Sequence, residues 1–358
     1  MTATVALTGH PFQDFDLRTN KGWAGIDINT SLDEFFEERT RALDVAFRDA
    51  VAKGGLLGFV KTYTAISVEM LARADDKALM ADLLQDGFAR LVRYYLFLRK
   101  RQRPWLSGGT SVKSWQLDGA LIARAQAAAD KQEQDNVMLR DYDLDNDPAL
   151  KAWAMENMQP LLRGYIGSPV VSPRAAIRYA NATLHASKWE MNYRSHAYGD
   201  FHLDEYPYSL PLILYLSEVA PENGAFRYVE GTDGIEQNFV LRAFHQAVSH
   251  GKKIEPVDPA GKKILAQLPS VFRGGDLVGT LKGPDTFEKL KIVTMTGSPG
   301  LAFVSDGFQL VHTGGHPRVG ARKALFLTFR YPQKRITDIA AKIAVRYWRF
   351  RTRRERAA

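Results

Sequence analysis

The 358-residue chain contains no cysteine. That absence excludes a disulfide scaffold, a cysteine-ligated zinc domain, an iron–sulfur protein and a thiol enzyme, each of which needs a residue the chain does not have. The sequence also lacks any run near the ~18 uninterrupted apolar residues of a membrane span, and it has no internal repeat or low-complexity tract. The opening MTATVALTGHPFQDFDLRTN has no charged segment followed by an apolar one, the order of a secretory leader. A cytoplasmic protein is expected. Charge is nearly balanced, with 48 Lys+Arg against 40 Asp+Glu for a net +8. The surplus is concentrated: residues 334–358 hold nine Lys/Arg and two acidic residues, a net of +7 that leaves +1 for the rest of the chain. A basic catalytic groove is therefore not indicated, and with no nucleic-acid motif present no nucleic-acid partner is expected.

What is present is an ordinary globular composition, 45% hydrophobic and 25% charged, long enough for roughly two domains. The first half reads as mostly helical. Ser31-Leu32-Asp33-Glu34 has the form of a capping box, and Leu32, Phe36, Leu43, Phe47 and Val51 follow it at helical spacing. That helix should end near Gly54-Gly55. Phe88, Leu91, Val92, Tyr95 and Leu96 form a second stripe that stops before Arg103-Pro104. Residues 116–134 and 148–163 also read as helices, the latter opened by Asp147-Pro148. From about residue 174 short β-branched and aromatic runs take over, such as Leu212–Leu216 and Ala324–Phe329, punctuated by turns at Pro221-Glu222-Asn223-Gly224 and Gly297-Ser298-Pro299-Gly300. Strands without long intervening helices predict an antiparallel sandwich or barrel. The expected organisation is a helical region at 1–165, a β core at 166–333 interrupted by an irregular Lys-, Gly- and Pro-rich insertion at 232–292, and a basic amphipathic segment at 334–358.

The chemistry centres on Phe201-His202-Leu203-Asp204-Glu205, which holds the chain's His-x-Asp. Residues two apart on a strand share a face, so His202 and Asp204 can ligate one ion from a rigid platform. Chance alone supplies about 0.6 such pairs in a chain of this composition, so an isolated pair reads first as the end of a surface strand or a turn. A third ligand of the right kind changes the weighing, because a non-haem Fe(II) site uses two histidines and a carboxylate. Of the downstream histidines His245, His250, His312 and His316, only His312 is followed ten residues on by an arginine. That residue, Arg322, directly precedes the apolar run 324–329. A guanidinium there can hold a dicarboxylate bidentately.

Around these residues the words LPLILYLSEVAPENGAFRYVEGT and SPGLAFVSDGFQLVHTGGHPRVGARKALFLTFRYP resemble the phytanoyl-CoA dioxygenase family of Fe(II)/2-oxoglutarate-dependent oxygenases over about residues 175–332. The turn at 221–226, Gly231-Thr232, His312 with its nearby glycines and Arg322 occur in the family's order. Ile213 departs from it, where relatives often carry tryptophan. The resemblance implies a mainly β fold, a cupin-like double-stranded β-helix or jelly roll, with the helical region added to it. It implies His202, Asp204 and His312 as Fe(II) ligands, Arg322 as the partner of the distal carboxylate of the cosubstrate 2-oxoglutarate, and Tyr193 as a further cosubstrate contact. It implies an oxidoreductase that uses O2, converts 2-oxoglutarate to succinate and CO2, and hydroxylates a small-molecule, lipid-like or sugar-like metabolite. Desaturation, cyclisation and epimerisation are alternative outcomes of the same iron-centred oxidant. Because Asp204 occupies its ligand position, halogenation is not expected. The alternative from another class is a non-catalytic jelly-roll binding protein recruited to an anionic surface by the basic tail.

Several features have plainer readings. Tyr193 also fits strand packing. His316, in Gly314-Gly315-His316-Pro317, reads as loop, and His196, Arg194 and Tyr198 fit either substrate contact or exposure to solvent. His245 and His250 in the insertion are expected to be solvated. Asp141, Asp143, Asp145 and Asp147 lack the Gly and Glu positions of a calcium loop and predict an acidic turn before Pro148. In the C-terminal segment Ile336, Ile339, Ala340, Ile343, Tyr347 and Phe350 follow helical spacing among Lys342, Arg346, Arg349, Arg351, Arg353 and Arg354. That pattern suits either a helix docked on the barrel or weak contact of residues 336–354 with a membrane surface or an anionic partner.

Overall fold

The computed structural model describes residues 30–100, 112–166, 173–183, 203–204, 209–230, 238–248, 268–269, 272, 291–314, 317–330 and 334–353. Three helices come first, α1 (Thr30–Lys53), α2 (Leu56–Arg73) and α3 (Lys77–Lys100). Strand β1 (Val112–Gln116), helix α4 (Gly119–Gln134), strand β2 (Leu139–Tyr142) and helix α5 (Pro148–Ile166) follow. The strands β3 (Arg174–Asn181), β4 (Ser209–Tyr215) and β5 (Phe226–Val229) precede helix α6 (Phe239–Gln246). After these come β6 (Ile292–Met295), β7 (Leu301–Ser305), β8 (His312–Thr313), β9 (Ala321–Arg330) and helix α7 (Lys334–Arg351). Helix α1 ends where the sequence predicts, with Gly54 at φ +85°, a left-handed conformation that glycine adopts without strain.

By its contacts the chain divides into two compact units, one comprising residues 1–11, 101–234 and 288–332, the other 12–100, 235–287 and 333–358. The first is antiparallel β structure with helices. Its larger sheet runs β1-β7-β4-β9-β3-β2 and its smaller one β6-β5-β8. Strand β4 lies between β7 and β9, with Leu212 opposite Val304 and Leu327. Both of its faces are covered, which is why it reads as a continuous apolar run rather than an alternating one. Ile213 and Tyr215 join a core shared with Phe226, Tyr228 and Val293 of the smaller sheet. The Phe226 ring lies 5.2 Å from that of Phe303 across this core. On the outer face α4 lies against β3 and β9 and buries Ile122, Ala125 and Ala129. Asp143 caps a short turn and Asp147 accepts from Leu150 N at the start of α5, as the acidic-turn reading predicts.

The second unit is helical and aromatic at its centre. Tyr63 and Phe88 stack at 4.4 Å, and Phe244 of α6 meets Phe272 edge-on at 5.1 Å. His245 is not solvated as expected: it is buried on α6 with Arg242 and Gln246. The helix has only eight residues, too short a window for periodicity to reveal its buried face, yet Asn238 caps it and it packs on α1 and α3. Helix α7 packs on α3 and α2 through Ala341, Ala344 and Trp348, with Asp338 bound by Arg93 at 2.8 Å.

Gly87 of α3 is forced by close approach. A β-carbon there would sit 2.4 Å from Cδ1 of Phe244, whose ring is fully buried. Gly87→Val should therefore lower the urea-unfolding free energy by about 1–3 kcal/mol through overpacking, although valine is the better helix former.

Candidate functional site

The first unit brings two of the predicted ligands together. Asp204 Oδ1 and His312 Nε2 are 3.6 Å apart, beyond a hydrogen bond and close enough to hold one ion between them. The imidazole belongs to β8, whose register sets His312 opposite Tyr228, and it stacks on Phe226 with centroids 5.4 Å apart. Its Nδ1 lies 2.9 Å from the Leu310 carbonyl oxygen. A carbonyl only accepts, so in the neutral ring the proton sits on Nδ1 and the lone pair is on Nε2, facing Asp204.

The turn between β7 and β8 places both groups. Leu310 N and Gln309 N each donate to the Asp306 carbonyl, at 2.7 and 2.9 Å, closing the turn around Gly307. Asp204 N donates to the Gly307 carbonyl at 2.7 Å. A β-carbon on Gly307 would stand 2.1 Å from Asp204 Oδ2 and 3.0 Å from His312 Cε1. The missing side chain is thus the space in which the carboxylate and imidazole meet. The sequence analysis did not single out Gly307; an Asp-Gly in a turn six residues before the candidate His312 was the available signal.

Arg322 lies on β9, opposite Ala180 of β3. Its Nη1 donates to the carbonyls of both Gly224 and Gly314. Gly224, at φ +88°, closes the turn whose Asn223 Oδ1 accepts from Ala220 N at 2.6 Å. Gly314 lies two residues beyond His312, so the segment carrying the imidazole is also held by the arginine. These bonds use Nη1 and leave the Nε–Nη2 edge to other partners. Burial pushes the pKa of Arg322 below the usual arginine value, with nearby Arg178 acting in the same direction and Tyr215 against it. Among the described residues no carboxylate pairs with Arg322. Arg178, which the sequence reading passed over, shares the face of Arg322 one register step along β3 and lies over the Phe326 ring at 4.2 Å.

His202, Tyr193, Arg194, His196, Tyr198, His250 and His316 lie outside the described residues. Among the described residues no three His, Asp or Glu side chains gather into a metal-binding group. Ile213 is a buried core residue of β4 whose partners are Phe303 and Phe326.

No protein-family model matches the chain, and no curated protein matches it in sequence. Solved structures do resemble it. EctD from S. alaskensis with 2-oxoglutarate and 5-hydroxyectoine is 13% identical with a TM-score of 0.34, over 62% of this chain and 72% of that one. The epimerase SnoN in complex with Fe3+, alpha ketoglutarate and nogalamycin RO is 13% identical with a TM-score of 0.36, over 62% and 79%. AviO1 from Streptomyces viridochromogenes Tue57 is 16% identical with a TM-score of 0.33, over 67% and 95%. Likeness at this level assigns the chain no activity, and what it does has to be argued from its own residues.

Tyr215 joins this site to the stability of the fold. Its hydroxyl donates to the Met295 carbonyl at 3.0 Å and accepts from Phe226 N at 3.0 Å. Burial pushes its pKa up to about 12 from 10.0, against the smaller opposing effects of Arg322 and the Phe226 N–H. Below pH 10 both folded and unfolded chains keep the proton. Between pH 10 and 12 the unfolded chain ionises first and binds fewer protons, so stability falls as pH rises. Tyr63 and Tyr142 are shifted the same way. Urea unfolding at about pH 9 to 12 should show this decline, and Tyr215→Phe should make it shallower while costing about 1–3 kcal/mol at neutral pH through unpaired backbone groups.

Proposed function

We propose that the chain is an Fe(II)/2-oxoglutarate-dependent dioxygenase of the phytanoyl-CoA dioxygenase type, with a double-stranded β-helix core, that hydroxylates a small-molecule metabolite. The observation that carries the reading is the meeting of Asp204 and His312, with Gly307 leaving room for both. An imidazole lone pair and a carboxylate are two of the three donors of a two-His, one-carboxylate iron site. His202 supplies the third in this reading, on the strength of its spacing from Asp204. The donor set contains no thiolate, in keeping with a chain that has no cysteine. Bound ferrous iron would supply the redox chemistry that couples decarboxylation of 2-oxoglutarate to oxidation of the substrate.

The remaining residues prepare that chemistry. The Leu310 carbonyl fixes the tautomer of His312, and Phe226 fixes its ring plane. Arg322 offers a buried cation to the distal carboxylate of 2-oxoglutarate, and its Nε–Nη2 edge has the planar fork that matches a carboxylate. Tyr193 is assigned a further contact to the cosubstrate. The apolar wall of Phe226, Tyr228 and Leu301 keeps water from the interior beside them.

Anaerobic addition of Fe(II) and 2-oxoglutarate to the folded protein should produce a visible metal-to-ligand charge-transfer band; no band despite verified iron loading would overturn the assignment. His202→Ala, Asp204→Ala and His312→Ala should each abolish succinate production, whereas a non-catalytic binding protein would tolerate all three. Gly307→Ala, which retains every donor, should weaken Fe(II) binding about 10–100-fold while the far-UV circular dichroism stays unchanged. With a substrate in hand, a product mass gain of one oxygen separates hydroxylation from desaturation, cyclisation or epimerisation.

A further inference from the structure

Helix α7 has two apolar faces, and among the described residues one of them is buried. Thr337, Ala341, Ala344 and Trp348 are buried, with Trp348 fully enclosed. The stripe that dominates the sequence pattern is the other face: Ile336 is 61% exposed, Ile339 50%, Ile343 62% and Phe350 75%, with Tyr347 at 38%. At about 100° per residue these five side chains fall within an arc of about 80°. Along one edge of that arc run Lys342, Arg346 and Arg353, all exposed, and Arg351 stands on the other edge. Arg349 lies further round, toward the docked face, where it donates to Gln85 Oε1 at 2.6 Å.

We infer that α7 is a docking surface for an anionic lipid bilayer, lying flat in the interface with Ile336, Ile339, Ile343, Tyr347 and Phe350 immersed and the basic residues among the headgroups. The charge argues for this occupant. Asp338 is the only acidic residue of α7, and it is bound to Arg93 at 2.8 Å. A second copy seated on the stripe would bring two basic edges together with no carboxylate from either helix between them, whereas a leaflet offers many diffuse negative charges above an apolar layer. Lys and Arg stems can lie along apolar surface while their heads stay wet, which suits this placing. Among the described residues no helix is long and apolar enough to cross a membrane, so contact through α7 is lateral. The residues involved are not those of the candidate iron site, so this surface and the proposed activity stand or fall separately.

The test is flotation of the full chain with vesicles of phosphatidylcholine alone or of equal parts phosphatidylcholine and phosphatidylglycerol. Binding should favour the anionic vesicles by at least about tenfold and weaken as salt is raised. Ile336→Ser/Ile343→Ser/Phe350→Ser changes only exposed side chains, so the fold should hold, and binding should drop by at least about tenfold. Lys342→Gln/Arg346→Gln/Arg353→Gln should lower binding to anionic vesicles without altering the small residual affinity for neutral ones. No binding of the folded wild-type chain to anionic vesicles overturns the proposal. Full binding by the serine variant also overturns it, since attraction would then be electrostatic without immersion. A wild-type dimer that the serine variant loses in sedimentation velocity, without vesicle binding, would assign the stripe to a second copy instead.

Discussion

Arg322 organises the β unit around a single guanidinium. It projects from β9 of the larger sheet and donates to Gly224 in the turn before β5 and to Gly314 just after β8. One nitrogen therefore ties the larger sheet to the entrance of one strand of the smaller sheet and the exit of another. Backbone carbonyls make durable anchors because no substitution can remove them. Their cost is that the cation must leave water, which is the burial that depresses its pKa. Arg178 on the same face adds a second positive charge nearby, and an incoming carboxylate would relieve both effects. Structural strap and anion receptor are in this way compatible roles for one side chain, provided they use different edges of its plane.

The candidate iron site depends on that strap. His312 belongs to a strand of two residues, too short to be rigid by its own ladder. Its position comes from neighbours instead: Phe226 behind the ring, the Leu310 carbonyl on Nδ1, and the Gly314 carbonyl held by Arg322. Asp204 is fixed by a backbone bond to the turn that leads to His312. The donors are thus held by main-chain bonds, with packing from a core to which both sheets contribute.

Much of this was legible from residue types. The helices around Phe36 to Val51 and Phe88 to Leu96 were visible because their apolar stripes are long, and the strands 212–216 and 324–329 because they are compact apolar runs. Asp204 and His312 were selected by ligand chemistry and by the arginine beyond, and their side chains do come together. Other elements escaped for physical reasons. Strands β1 and β2 are edge strands with half their side chains exposed, so their composition resembles loop. Helix α2 is apolar with little polar contrast around its circumference, so no stripe stood out. Helix α6 is short, and His245 reads as solvated in the sequence because it falls within the irregular insertion 232–292, although the residues beside it are largely apolar. For α7 the periodicity was read correctly and the buried face was not, because small Ala and Thr residues beside one Trp pack more closely on a neighbour than a row of isoleucines, and periodicity alone does not distinguish a docked face from a waiting one.

The bond from Asp204 N to the Gly307 carbonyl has a consequence for how such a site can change over time. It is made by atoms that almost every amino acid possesses, so position 204 is held whatever side chain it carries. Foldability and reactivity are therefore encoded separately there, the first in the peptide group and the second in the carboxylate. A lineage could trade the carboxylate for something else and keep the pocket's outline, whereas position 307 has no such latitude, because there the outline itself is the absence of a side chain.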